Sequence, residues 1–222
     1  ERPHTIRYLL EDKILMFNPR LMFVVLLLSL CACISQQEKT IGIVTYHSYD
    51  TELRDSAMAA LQRVYGFRVV HLYDTSLPKH SFIKVKSPRY RADKLIKHLN
   101  STKPDCIDHV LGLTAKDIST TKKDAFGKTK KPVSRYEDFG IFGLGYRPGA
   151  SCIVSSYRLG IGGKRSKLIQ RVQKVCVHEI GHNLGLKHCP NTACVMTSAV
   201  EKLSTVDNAQ LKLCAECAAQ IS

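Results

Sequence analysis

His178-Glu179-Ile180-Gly181-His182-Asn183-Leu184-Gly185-Leu186-Lys187-His188 sets three imidazoles and one carboxylate at spacings that suit a metal site. On a helix of about 3.6 residues per turn, His178 and His182 stand about 40° apart around the axis, so both rings face one point. Glu179 follows the first histidine and projects beside that point, placed to take a proton from a water on the metal. Gly185 can adopt the left-handed conformation that ends a helix, which swings the chain back and delivers His188 as a third ligand. Three protein ligands leave a fourth zinc position for water, as in a hydrolytic site rather than a structural one. A bare H-E-x-x-H arises by chance in roughly one chain in a hundred of this kind. Gly185 and His188 lower that by a further factor of roughly several hundred.

A second cluster begins where the first ends. The chain continues Cys189-Pro190-Asn191-Thr192-Ala193-Cys194-Val195-Met196, and Cys214-Ala215-Glu216-Cys217 follows after seventeen residues. Cys189, Cys194, Cys214 and Cys217 fit a tetrahedral thiolate site in which each pair clasps a zinc ion from a tight turn. Four thiolates fill every zinc position, so this site holds structure and does no chemistry. Disulfides are the alternative: within a pair the short loop is strained, and between pairs they are open.

The full pattern, H-E-x-x-H-x-x-G-x-x-H-C-x4-C-x-M-x17-C-x2-C, resembles the archaemetzincins, a branch of the metzincin zinc metallopeptidases. The likeness is carried by His178, Glu179, His182, Gly185, His188, Cys189, Cys194, Met196, Cys214 and Cys217, and weaker likeness extends upstream to about Lys39. The resemblance implies that Met196 forms a tight turn beneath the catalytic zinc. It also implies an α/β fold with a twisted sheet above the cleft and the zinc helix below.

The chain has 222 residues, with 44 % hydrophobic and 23 % charged, a globular composition. Its net charge is +14, of which residues 1–35 contribute one unit. Lysines and arginines gather at residues 79–97 and 122–131, and no nucleic-acid motif accompanies them, so a solvated basic face is expected without nucleic acid as a partner. Of the nine cysteines, Cys106, Cys152 and Cys176 fall in apolar patterns and read as buried free thiols.

Residues 1–35 read as a leader, with 1–15 ahead of the true start and 16–33 a secretory signal. Its ten-residue apolar run, Leu21 to Leu30, is too short to span a bilayer. Leu30-Cys31-Ala32-Cys33 resembles a lipobox, which implies a lipid anchor at Cys33 and a place in the cell envelope. A four-thiolate zinc sits uneasily with an oxidising compartment, which favours a cytoplasmic alternative.

Within 36–222, strands are predicted at 40–46, 67–73, 106–114, 139–145 and 150–156, and helices at 50–65 and 89–99. The Lys/Thr-rich stretch 120–134 reads as an exposed, mobile loop. The zinc helix is predicted from about Ser166 to Leu184, with Ile169, Val172, Cys176 and Ile180 as its buried stripe. The alternation gives a mixed sheet backed by helices, with a small C-terminal subdomain clamped by the four-cysteine zinc. The expectation is a monomeric zinc metallopeptidase acting on peptides or proteins, with two zinc ions per chain and Glu179 as general base. The rival from another class is a two-zinc binding module, which has no need of a carboxylate beside an open metal position.

Overall fold

Thr40–Tyr46 (β1) is buried on both faces: Ile41 and Ile43 enter one core, Val44 and Tyr46 another. Such period-two alternation with no wet face marks a central strand covered on both sides. Thr51–Tyr65 (α1) is capped by Asp50, whose carboxylate accepts from the Leu53 N–H at 3.0 Å, and is ended by Gly66 at φ 69°. Arg68–Thr75 (β2), Phe82–Lys84 (β3), Pro88–Arg91 (β4) and Ala92–Thr102 (α2) follow. His109–Thr114 (β5), Ile118–Thr120 (β6), Val133–Tyr136 (α3), Phe139–Ile141 (β7), Gly143–Gly145 (β8) and Ser151–Ser155 (β9) complete the sheets. Arg165–Asn183 (α4), Leu203–Asn208 (α5) and Ala215–Ala219 (α6) close the chain.

The computed structural model describes residues 38–198 and 202–221. The leader, Cys31 and the lipidation site read at Cys33 lie outside the described residues. Among the described residues, no helix is long and apolar enough to cross a membrane.

Two sheets form where one was expected. The larger has the order β2-β1-β5-β9-β8, parallel except for β8, which runs antiparallel along β9 at the edge. α1 and α4 cover one face with Leu53, Leu61, Val172, Cys176 and Ile180, and α2 covers the other with Leu95, Ile96 and Leu99. The smaller sheet has the order β3-β4-β6-β7. Its buried anchor is Asp117, which accepts from Arg158 through both oxygens at 2.7 and 2.8 Å and lies 3.3 Å from Arg89 Nε.

The second sheet explains three departures from the expected elements. The strand expected over 139–145 divides at Phe142, β7 pairing with β6 and β8 with β9. The helix expected from Arg89 starts at Ala92, because residues 88–91 pair with β3 and β6. The strand expected from Cys106 starts at His109, since the Ile107 N–H bonds Pro104 O in a turn that leaves the Cys106 thiol exposed, not buried. Cys152 and Cys176 are buried as expected.

Candidate metal centre

α4 is apolar on the side that meets the sheet, and its second half is enclosed. Val177 and Ile180 are fully buried, while His178 and Glu179 keep 8 % and 7 % of their surface. The helix ends as the glycine signal requires. Gly185 takes φ 99°, its N–H bonds His182 O, and the Leu186 N–H returns to Gly181 O, both at 2.9 Å. That reversal brings His188 back to the helix. The three histidines can each offer a ring nitrogen such that all the nitrogens lie within 4.8 Å of one another.

Two imidazoles are held by carbonyls. His178 Nδ1 lies 2.8 Å from Val195 O and His182 Nδ1 lies 2.8 Å from Leu186 O. A carbonyl only accepts, so each Nδ1 carries the proton and each Nε2 keeps its lone pair for a metal. Burial lowers all three basicities, taking His178 to about 3, with the neighbouring rings adding to the effect at His178 and His188. Neutral imidazoles converging on one point fit zinc by donor type and by number.

Glu179 stands beside this group under the edge of the larger sheet. Burial raises its carboxyl to about 8, opposed by a hydrogen bond from the Gly145 backbone and by the charge of Lys122. The room for it comes from two glycines. A Cβ at Gly143 would lie 2.7 Å from Glu179 Oε1, and one at Gly145 would lie 2.7 Å from the Glu179 carbonyl oxygen. Neither glycine belongs to the zinc motif. The only signal in the sequence is the G-x-G spacing in a strand, which marks close backbone approach.

Cys189, Cys194, Cys214 and Cys217 also converge, with sulfurs within 4.8 Å of one another and Cys189 Sγ 3.7 Å from Cys214 Sγ. None is in a disulfide. The Cys214 N–H points at Cys194 Sγ at 3.3 Å, and the Cys214 thiol is lowered to about 7, chiefly by a backbone hydrogen bond from Cys217. Four such sulfurs match a closed zinc site. The two clusters are joined through the chain between them: Val195 donates to Lys212 O at 2.9 Å and accepts from His178. Met196 is fully buried against Gly181, where a Cβ would overlap its sulfur. His47, His71, His80, His98 and His109 join neither group.

A cleft of about 260 Å³ opens onto the three histidines and Glu179. Phe142, β8 and Lys122 line it on the sheet side, and Val175, Lys174, Val206 and Ala209 on the helix side. The Val206 segment is held by an ion pair that the motif does not reveal, between Arg171 of α4 and Asp207 of α5.

Known proteins resemble this chain in sequence and in fold. The sequence profile of peptidase family M54 matches residues 69–222. Over 185 residues the chain is 31 % identical to an archaemetzincin of Haloquadratum walsbyi, covering 80 % of this chain and 96 % of that one. The crystal structure of the archaemetzincin of Methanopyrus kandleri has a TM-score of 0.69 to this fold at 26 % identity, covering 84 % of this chain and 95 % of that one. The archaemetzincin of Archaeoglobus fulgidus, crystallised with malonate, has a TM-score of 0.64 at 26 % identity, covering 82 % and 99 %. The chain belongs to peptidase family M54, the archaemetzincins, and is a zinc metallopeptidase.

Proposed function

We propose that His178, His182 and His188 hold the catalytic zinc and that Glu179 is the general base and acid of peptide hydrolysis. The zinc, when bound, supplies a Lewis acid and lowers the pKa of water at its open position. Glu179, which the positive charge of a bound zinc would keep ionised in spite of its burial, removes a proton from the attacking water and passes it to the leaving amine. The observation that carries this reading is the burial of Glu179 beside three imidazoles whose Nδ1 atoms are already committed or whose basicity is already lowered. Gly143 and Gly145 bring a bare backbone edge to the same point, and an extended substrate is received there by strand addition to β8.

Cys189, Cys194, Cys214 and Cys217 hold a second, structural zinc, giving two ions per chain. Their free thiols and the N–H directed at Cys194 Sγ support this over disulfides. The test is a peptide-library cleavage screen on the zinc-loaded protein, repeated after chelation and after zinc is restored. Cleavage that follows zinc through both steps supports the assignment, and cleavage indifferent to the metal removes it.

A further inference from the structure

Residues 121–132 form a hairpin rather than an irregular loop, and its own backbone holds it. Lys123 pairs antiparallel with Thr129, the Lys130 N–H reaches Lys122 O at 2.9 Å, and the Asp124 N–H reaches Lys128 O at 2.8 Å. Asp124 closes the turn: its Oδ1 accepts from the N–H groups of Phe126 and Lys128, both at 2.9 Å. Gly127 supplies the left-handed residue at φ 76°.

This scaffold keeps Phe126 at the tip 88 % exposed, the highest value for a large hydrophobic side chain among the described residues. A ring of that size is normally buried, because water contact forgoes its transfer energy. Lys123, Lys128, Lys130 and Lys131 are exposed around it. Asp124, the one acidic residue between 121 and 132, spends its carboxylate on the turn.

We propose that this hairpin docks the enzyme on an anionic lipid bilayer, with Phe126 entering the headgroup boundary and the lysines resting on lipid phosphates. An apolar tip with a cationic collar matches the two layers of such a surface. Nucleic acid fits less well, because one ring with no groove behind it stacks one base at most. Lys122, at the base of the hairpin, lines the cleft, so docking would bring the cleft mouth toward the membrane surface.

The chain contains no tryptophan, so Phe126→Trp puts a single indole at the tip. The zinc-loaded full chain is mixed with vesicles of phosphatidylcholine, with and without phosphatidylserine. Indole emission should shift to the blue and be quenched by brominated acyl chains only when phosphatidylserine is present. Reading the tip itself separates the hairpin from any attachment through residues 1–37. Phe126→Ser should lower vesicle partition on the order of tenfold. Lys128→Gln and Lys130→Gln should each lower it about fivefold. All variants should keep the thermal transition and the turnover of a soluble peptide. Unshifted emission with phosphatidylserine vesicles overturns the proposal, even if the chain sediments with them. A shift with single-stranded DNA but not with vesicles also overturns it.

Discussion

Arg171 and Asp207 are joined by two parallel hydrogen bonds, Nε to Oδ1 at 2.7 Å and Nη2 to Oδ2 at 2.9 Å. Arg171 is buried, and its remaining donors reach Leu159 O and Ile161 O at 2.7 and 2.9 Å. The pair thus ties the zinc helix to the helix that walls the cleft. Asp207→Ala would leave a buried guanidinium short of its counter-charge and should cost about 3 kcal/mol. The guanidinium of Arg171 holds the Asp207 carboxyl down to about 2. A depressed carboxyl contributes its full stability above its unfolded pKa of about 3.9 and loses it as pH falls through the folded value. Thermal unfolding of wild type and Asp207→Ala should differ by a constant interval from pH 8 to 5, narrowing below about pH 4.

Gly145→Ala should separate catalysis from metal binding. The new Cβ meets the backbone oxygen of Glu179, which cannot turn aside as a side chain would. β8 or Glu179 must shift by several tenths of an ångström. Turnover should fall about 10²-fold, the loss expected for a misplaced reacting group, with catalytic zinc retained. Metal analysis beside kcat/KM checks this, and equal loss of zinc and activity would place the damage in the histidines instead.

Cys214→Ser should weaken the catalytic zinc although Cys214 belongs to the other cluster. The coupling runs through Val195, which bonds Lys212 on one side and orients His178 on the other. A structural zinc contributes on the order of 10 kcal/mol, comparable to a domain's whole stability. Zinc affinity of the histidine site and the thermal transition should both fall relative to wild type. An unchanged pair of values would show that the clusters are independent.

The metal helix was legible because its determinants are local. His178, Glu179 and His182 depend only on helical spacing, Gly185 on one backbone conformation and His188 on the reversal that follows it, so five residues carried the site. The cysteine cluster followed from two tight spacings. The glycine shelf over Glu179 was not legible, since β8 lies more than thirty residues upstream and its partner there is invisible to periodicity. The short strands of the second sheet, three or four residues each, fall below any alternation signal. Arg171 is not legible in the sequence, because nothing local marks an arginine on a helix as buried. Its burial arises from Asp207, thirty-six residues away.

The most direct test is the turnover of Glu179→Gln at full zinc occupancy. The substitution keeps shape and hydrogen bonding but cannot accept the water's proton. The protein should fold, hold both zinc ions and hydrolyse its best library peptide slower by about 10² or more. Turnover equal to wild type in a zinc-loaded preparation would contradict the assignment of Glu179 as the base.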